Sequence, residues 1–130
     1  ALGDGLIVPV IREVDRRSLT ELAQTRIRLP ESARANELTF DEVSGGTFTV
    51  TNLGNYDIDA FTPIINPPEA AILGIGRIVE KVVIHQEKVS QRAKMTLSLT
   101  FDHRLVDGAP AAAFLQSVKQ LLESPSRLKD

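Results

Sequence analysis

The chain has 130 residues, of which 42% are hydrophobic and 25% charged, and its formal net charge is −2. This length and composition are typical of one folded domain with a hydrophobic core. The small net charge and the lack of a basic block give no indication of a nucleic-acid or anionic-membrane surface. Cysteine is absent, which excludes disulfides, a zinc–thiolate site and a cysteine nucleophile. No apolar run approaches the ~20 residues of a membrane span.

The first third of the chain predicts one strand followed by capped helical segments. Residues 6–14 are rich in β-branched side chains and predict a strand. Residues 18–21 (SLTE) form a capping-box pattern that predicts a helix start, and Pro30 is expected to end or kink that helix. A second helical piece is expected at residues 31–36. Residues 39–42 (TFDE) repeat the capping pattern over a short turn.

The middle of the chain predicts strands and a hairpin. Residues 47–52 alternate threonines with apolar residues and predict a short strand, and residues 53–68 predict an ordered loop. Residues 71–84 predict a long strand interrupted by Gly74 and Gly76, which a polar turn at residues 85–88 returns as a hairpin.

The last third combines a strand and a helix. From residue 93 to residue 101 every odd position is apolar and every even position polar, so one face of this strand is expected to be buried. After Gly108, apolar residues at helical spacing predict a helix that Pro125 stops. Helices and strands in this mixed order, with an antiparallel hairpin, predict an α+β fold: a mixed sheet with helices on one face.

His103 and Asp107 are the candidates for acid–base chemistry. If the pleat continues two residues beyond Phe101, His103 lies on the apolar side, partly shielded from water, where an imidazole nitrogen can take a proton. Gly108 would allow a close backbone approach there. A purely structural interpretation also fits, because Asp107 is a good N-cap for the last helix and Gly108 suits a strand-to-helix turn. The spacing alone leaves both open.

Other classes of site find little support in the sequence. The two histidines are far apart, so they supply no zinc ligand set and no metal is expected. Gly74 and Gly76 lack the third glycine and the helix start of a dinucleotide fingerprint. A serine hydrolase is not predicted either, because no Gly-x-Ser-x-Gly elbow is present.

Residues 102–108 (DHRLVDG) resemble the His-x-x-x-Asp-Gly motif of the dihydrolipoyl acyltransferases, which form the core of the 2-oxo acid dehydrogenase complexes. Chloramphenicol acetyltransferases share this motif. Peptide-synthetase condensation domains carry a double-histidine form, against which Asp102 argues. Three further stretches resemble the acyltransferases in the family's order, namely residues 38–46, 45–54 and 61–78. The resemblance runs from about Gly3 to the C-terminus.

The resemblance implies a chloramphenicol-acetyltransferase-like α/β sandwich. It also implies homotrimers with active sites between neighbouring subunits, assembled into a larger hollow core that dehydrogenase subunits join through other domains. Residues 1–130 would be the C-terminal portion of the catalytic domain, without its N-terminal part and without a lipoyl or peripheral-subunit-binding domain. Lys81 is therefore not expected to be lipoylated. Such proteins are expected in the bacterial cytoplasm or the mitochondrial matrix.

The implied reaction moves an acyl group between the thiol of dihydrolipoamide and the thiol of coenzyme A, with acetyl expected first and branched-chain acyl next. The lipoyl group would be carried by a domain outside this sequence. A thiol is a weak nucleophile until it is deprotonated, and His103 matches the family's general base. Thr51 matches the family's hydroxyl that stabilises the tetrahedral oxyanion. The alternation of Thr47, Thr49 and Thr51 also fits an ordinary polar strand face.

The remaining matches are supporting positions. Asp107 matches a residue that holds the loop or a neighbouring cation. Asn52, Gly54 and the turn at residues 66–68 are expected to shape loops near the site, although ordinary turn chemistry also accounts for them.

Two other functions stay open. Without the N-terminal part of the domain, the chain could serve as an assembly scaffold that has lost catalysis. The histidine motif is also shared with acetyltransferases that act on a small hydroxylated molecule, against which residues 62–76 (TPIINPPEAAILGIG) argue. Pro30 is a departure, because the family usually runs a helix through this position.

Overall fold

The computed structural model describes residues 5–128, which fall into two compact units, one within residues 1–46 and 123–130 and the other Thr47–Leu122. Neither helix in this described part of the chain is long and apolar enough to cross a membrane. The helices and strands in chain order are α1 (Leu19–Arg34), β1 (Thr49–Asn52), β2 (Ala71–Ile75), β3 (Val79–His85), β4 (Lys88–Lys94), β5 (Leu97–Phe101) and α2 (Gly108–Glu123).

Both capping patterns form as predicted. Ser18 Oγ accepts a hydrogen bond from Glu21 N at 3.2 Å, and Glu21 Oε2 accepts one from Ser18 N at 2.9 Å. This reciprocal pair starts α1 at Leu19. The bonds that the Glu21 carboxylate accepts, first from the Ser18 backbone, also lower its pKa. Thr39 caps the short 3-10 helix Phe40–Glu42, which is one turn long, in the same way.

Pro30 does not end α1, so the prediction that the helix stops there is wrong. The helix continues to Arg34, and the expected second piece at residues 31–36 is largely its last turn. Proline removes one hydrogen bond of the helix. Burial on both sides of Pro30 offsets this loss, because Leu29 is 3% exposed and Ala33 is 6% exposed.

The predicted strand at residues 6–14 does not form. This segment is irregular, and its last residue begins a short 3-10 turn, Val14–Arg16. Its β-branched composition favours a strand only where a neighbouring strand can pair with it. Pro9 also lacks the backbone N–H that such pairing needs. A few hydrogen bonds hold the segment instead, among them one from Val10 N to Glu42 O at 2.8 Å. Arg12 donates to the carbonyl oxygens of Asp41 at 3.0 Å and Ser44 at 2.9 Å.

The second unit contains a mixed three-stranded sheet in the order β1-β2-β5. Strand β1 runs parallel to β2, and β5 runs antiparallel to it. The central strand is covered on both faces, since Ile72 and Leu73 point to opposite sides and are 5% and 7% exposed. The mixed sheet predicted from the sequence is therefore confirmed.

Two aromatic contacts support this sheet. Phe114 of α2 lies edge-on to Phe48, just before β1, with ring centroids 5.7 Å apart. Phe61 and Pro63, from the loop predicted at residues 53–68, lie against Gly74 of β2, where an added Cβ would come within 3.0 Å of the Phe61 ring. Glycine at position 74 therefore lets the loop pack directly on the strand.

Each of the two long strands predicted at residues 71–84 and 93–101 is divided in two. Strand β2 stops at Ile75 because the neighbouring loop crosses the chain there. An added Cβ at Gly76 would lie 2.0 Å from the Asp59 carbonyl oxygen. Strands β3 and β4 form a separate two-stranded sheet. The predicted hairpin is confirmed, with Gln86 and Glu87 at φ of 50° and 61°, as a tight turn between antiparallel strands requires.

The alternation in residues 93–101 does not produce one buried and one exposed face. All five residues of β5 are half-buried, and the apolar residues Ala93 and Met95 are exposed. The reason is that the segment is divided between two sheets. The apolar and polar alternation over residues 93–101 therefore does not correspond to the two faces of one strand.

We expect the anchor of α1 on either side of Pro30 to be measurable. Leu29→Ala should lower the free energy of unfolding by about 2–5 kcal/mol, because it removes a fully buried side chain and leaves a cavity. The matched control is Ile27→Ala in the same helix, where the side chain is 59% exposed and the cost should be about 1 kcal/mol or less. Urea denaturation measures both. Equal losses would contradict the assignment of Leu29 as the anchor.

Candidate active site

His103 lies in the turn that follows β5. The ladder continues one residue past the strand, since Asp102 N donates to Ala70 O at 2.8 Å. The imidazole lies beside the Phe101 ring with centroids 5.5 Å apart, which is the neighbour that the pleat predicted. The His103 side chain is nevertheless 71% exposed. The expected shielding from water is therefore wrong for this chain alone, because the chain turns away from the sheet after Phe101.

Asp107 combines the two roles that the sequence left open. Its Oδ1 lies 3.7 Å from His103 Nδ1, which is an ion-pair distance and longer than a hydrogen bond. Its carbonyl oxygen accepts from Ala111 N at 3.2 Å, the first bond of α2. Asp107 therefore has the main-chain position of an N-cap while its side chain faces the imidazole.

The sequence analysis missed an ion pair that encloses His103. Arg104 Nη2 donates to Asp102 Oδ2 at 2.6 Å and Arg104 Nε donates to Asp102 Oδ1 at 3.0 Å. The backbone N of Arg104 also donates to Oδ1, at 2.9 Å. These bonds, the side-chain bond first, lower the pKa of the Asp102 carboxyl to about 2. The Asp-x-Arg order was available as a signal, since aspartate commonly bonds the backbone two residues on.

Thr51 lies near the end of β1, half-buried, opposite Gly74 of β2. Gly74 in turn is opposite Ser98 of β5. Neighbouring positions across a sheet share a face, so Thr51 points to the side of Ser98. Phe101, three residues further along β5, points to the other side.

The register therefore does not bring Thr51 and His103 together. Three residues along β5 and two strand spacings separate the Cα atoms of Thr51 and Phe101 by about 14 Å, and His103 lies beyond Phe101. The side chains of Thr51 and Phe101 also point to opposite faces of the sheet. One chain supplies both groups but does not assemble them into one site.

The threonine face of β1 is partly structural. Thr49 is only 9% exposed, and its Oγ1 donates to Glu69 Oε2 at 2.5 Å. Val50, on the opposite side of the strand, is 58% exposed. The polar interpretation of this strand face therefore holds for Thr49, which has a partner within the unit.

Asn52 and Gly54 shape the loop that follows Thr51. Asn52 Oδ1 accepts from Gly54 N at 2.8 Å. An added Cβ at Gly54 would lie 3.0 Å from the Gly76 carbonyl oxygen. Arg77, which the sequence analysis did not consider, donates to Asp59 Oδ1 at 2.6 Å and joins this loop to the end of β2. That contact lowers the pKa of Asp59 and raises the pKa of Arg77.

Gly108 does not mark a close approach, so that prediction is wrong. An added Cβ there would meet nothing within 4 Å. The residue begins α2 at an exposed position, where the first turn of the helix needs no special conformation. Within residues 5–128 no three histidine, cysteine or acidic side chains are grouped closely enough to hold a metal ion.

A family model and two similar known sequences point to the same protein family. A family model described as the catalytic domain of 2-oxoacid dehydrogenase acyltransferases matches residues 1–129. The chain is 48% identical over 128 residues to the dihydrolipoyllysine-residue acetyltransferase component of the acetoin cleaving system of Bacillus subtilis. It is 46% identical over 121 residues to the mitochondrial dihydrolipoyllysine-residue succinyltransferase component of the 2-oxoglutarate dehydrogenase complex of Bos taurus.

These alignments cover nearly all of this chain but only part of each relative. They span 98% and 93% of this chain, and 32% and 27% of the two relatives. The chain thus corresponds to about a third or less of the length of these proteins. The relatives include both bacterial and mitochondrial proteins.

Solved structures confirm the fold class. A dihydrolipoamide acetyltransferase of Azotobacter vinelandii, studied for the role of one serine, one histidine and one asparagine in its catalytic mechanism, matches with a TM-score of 0.90 and 42% identity. The cubic core of a pyruvate dehydrogenase multienzyme complex matches with a TM-score of 0.90 and 41% identity. Each comparison covers 97% of this chain and 52% of the other chain.

The Asp102 carboxyl should titrate with a midpoint of about 2, well below the usual 3.8. Because its folded pKa is depressed, its contribution to stability is complete above pH 3.8 and fades as the pH falls towards about 2. Carbon-detected NMR titration of the carboxyl measures the midpoint. Arg104→Gln should move it back towards 3.8, and a wild-type midpoint at that value would contradict the pairing.

Proposed function

This chain belongs to the 2-oxoacid dehydrogenase acyltransferase family, and from that premise we propose that its protein transfers an acyl group between the thiols of dihydrolipoamide and coenzyme A. The single observation that carries the proposal is the Asp107 carboxylate 3.7 Å from Nδ1 of His103, and Thr51 is the proposed third residue of the site. Acetyl is the first candidate for the acyl group. The relatives include both acetyl- and succinyltransferases, so comparing acetyl-, branched-chain and succinyl-coenzyme A as donors decides between them.

Residue spacing supports these three positions. In the Azotobacter vinelandii enzyme, the serine precedes the histidine by the same number of positions as Thr51 precedes His103. The asparagine follows that histidine by four positions, as Asp107 follows His103. Threonine keeps the hydroxyl of serine. Asp107 replaces the amide with a carboxylate, which accepts hydrogen bonds but donates none when ionised.

The proposed base is Nε2 of His103. Nδ1 faces the Asp107 carboxylate at 3.7 Å, which favours the tautomer with the proton on Nδ1 and leaves Nε2 free to accept another. A thiol bound beside Nε2 gives up its proton there. The resulting thiolate attacks the thioester carbonyl carbon, and the carbonyl electrons move onto oxygen.

The proposed role of Thr51 is to stabilise that oxygen. Its hydroxyl donates to the tetrahedral oxyanion, a bond that becomes stronger as the negative charge develops. Collapse of the intermediate expels the second thiol as a thiolate, which takes the proton back from His103. Both substrates contribute their own sulfur, so the chain's residues only move one proton and hold one oxyanion.

The separation of Thr51 from His103 implies that two copies of the chain complete each site. Within one chain, about 14 Å separates the Cα atom of Thr51 from that of Phe101, the last strand residue before the turn that carries His103. A neighbouring copy in a homotrimer, itself part of a larger core, would bring the hydroxyl of one chain to the imidazole of another. The resemblance to a chain of a cubic core supports this arrangement. Dehydrogenase subunits would attach through other domains.

Exposed apolar residues also support assembly. On one face of the β3–β4 hairpin, Val82, Ile84 and Val89 are 76%, 79% and 76% exposed, and Ile84 is paired with Val89. A contiguous apolar surface of this kind is typical of a protein interface. A two-stranded sheet is also marginal by itself and gains stability from a partner.

We expect His103→Ala to lower the transfer rate by about 10²–10⁴-fold in the assembled protein, because the thiol then lacks a base. The matched control is His85→Ala, at the exposed end of β3, which should keep the wild-type rate. A thioester assay with dihydrolipoamide and acyl-coenzyme A measures both variants. Near-normal turnover of His103→Ala would contradict the assignment.

The same assay on the wild-type protein separates the alternative functions. If the wild-type protein assembles but transfers no acyl group, the chain is a scaffold. If it acylates hydroxyl acceptors in preference to dihydrolipoamide, it is an acetyltransferase that acts on a small hydroxylated molecule.

Thr51→Val should lower kcat by about 10²–10³-fold, because the oxyanion loses its donor. The KM for coenzyme A should change little, and Thr51→Ser should restore most of the rate because serine keeps the hydroxyl. Steady-state kinetics of the three proteins checks this. A full rate for Thr51→Val would exclude Thr51 as the oxyanion donor.

Mixed assemblies test whether two chains share each site. Co-expression of His103→Ala and Thr51→Val subunits in equal amounts should restore about a quarter of the wild-type rate, because a quarter of the pairs of neighbouring chains then carry both intact residues. If each site belonged to one chain, no intact site could form and the mixture would stay inactive.

A further inference from the structure

We propose that the Asp102–Arg104 ion pair is a positioning device, which fixes the backbone on both sides of His103 so that its imidazole stays in place for proton transfer. This inference rests on the proposed role of His103 as the base. Neither Asp102 nor Arg104 would touch the reacting sulfur atoms in this role. Both act through the main chain that carries the imidazole.

Hydrogen bonds hold the residues before and after His103. On one side, Asp102 N donates to Ala70 O at 2.8 Å and ties the chain to the strand side of the turn. On the other side, Arg104 N donates to Asp102 Oδ1 at 2.9 Å. The backbone of His103 therefore lies inside a ring of bonds closed by the Asp102 side chain, and a rotation of that segment would break at least one of them.

Asp102 also organises the rest of the turn. Its carbonyl oxygen accepts from Leu105 N at 3.0 Å and from Val106 N at 3.1 Å. Together with the side-chain bond to Arg104 N, this residue accepts hydrogen bonds from three successive backbone amides. The turn then leads directly to Asp107, whose carbonyl begins α2.

Arg104 holds the Asp102 carboxylate in the position that these bonds need. The guanidinium donates through Nε and Nη2 to the two carboxylate oxygens, at 3.0 and 2.6 Å. This side-on geometry restricts the rotation of the carboxylate, and a lysine cannot reproduce it because its ammonium is a single point of charge. The Arg104 side chain is 88% exposed while that of Asp102 is 19% exposed. Core packing of Arg104 therefore does not explain the pair.

The consequence for catalysis is a precise position of the ring. A displacement of about 1 Å in a reacting group can cost about 10²-fold in rate. The His103 side chain is largely exposed, with the Phe101 ring on one side and the Asp107 carboxylate 3.7 Å away, so few side-chain contacts within the chain hold it. Its backbone must supply the restraint. Loss of the ion pair should thus lower kcat, while the KM for coenzyme A stays unchanged.

The test compares Asp102→Ala, Arg104→Gln and Arg104→Lys in the complete assembled protein. Each should lower kcat by about 10–100-fold, with KM for coenzyme A within about twofold of wild type. The double variant Asp102→Ala/Arg104→Gln should be no slower than Asp102→Ala alone, because the two residues act as one unit. The matched control is Arg16→Gln, which removes another exposed ion pair, Arg16–Glu13 at 3.1 Å, and should leave kcat unchanged.

Hydrogen exchange gives a readout that does not depend on activity. The amides of Arg104, Leu105 and Val106 should exchange at least about tenfold faster in Asp102→Ala, since their common acceptor residue has lost its anchor. Mass spectrometry of this peptide in the assembled protein measures the change. If Asp102→Ala fails to assemble, Arg104→Lys keeps the charge and the fold, and its kcat decides the question.

Two outcomes would overturn the inference. If kcat of the assembled Asp102 and Arg104 variants stays within twofold of wild type while His103→Ala is inactive, the base assignment holds and the positioning role is wrong. If Arg104→Gln and Arg104→Lys instead raise the KM for coenzyme A at normal kcat, Arg104 binds substrate and is not a positioning residue. An inactive wild type, or an active His103→Ala, would reject the proposed function itself.

Discussion

Burial of β2 on both faces is the constraint on which the rest of the second unit depends. Ile72 and Leu73 point to opposite sides and are both nearly inaccessible to solvent. A slip of one residue in register would move each side chain to the other face of the sheet. The fixed register determines where the chain leaves β5, and hence where His103 lies. It also sets Thr51 at the level of Gly74. Both proposed catalytic groups are thus positioned by side chains that take no part in the chemistry.

The turn after β5 has a structural requirement that coincides with a chemical one. A strand that ends and a helix that begins within seven residues leave several backbone amides without ladder or helix partners. Asp102 and Asp107 supply acceptors for these amides. The same compact turn brings the Asp107 carboxylate to 3.7 Å from His103 Nδ1. The need to satisfy these backbone amides therefore explains why the two aspartates are present. It does not explain the histidine between them.

Local chemistry was predictable from the sequence, and contacts with distant residues were not. The cap at Ser18, the hairpin turn at Gln86 and the start of the last helix each depend on residues within four positions, and the structure confirms all three. The continuity of α1 through Pro30 depends on the burial of its neighbours. The end of β2 depends on the Asp59 carbonyl, 17 positions away from Gly76 in the chain. Neither effect has a signature in the local sequence.

The same division applies to the site. The residue types, a histidine, an aspartate four positions later and a threonine, could be taken from the sequence by resemblance, whereas their distances could not. The register is what shows that Thr51 and Phe101, the last strand residue before His103, point to opposite faces of one sheet. A single chain that carries the proposed base and the proposed hydroxyl donor this far apart cannot use both on one substrate. Under the proposed mechanism, assembly is therefore required before the base and the hydroxyl donor can act on the same substrate, because a single chain carries only part of each site.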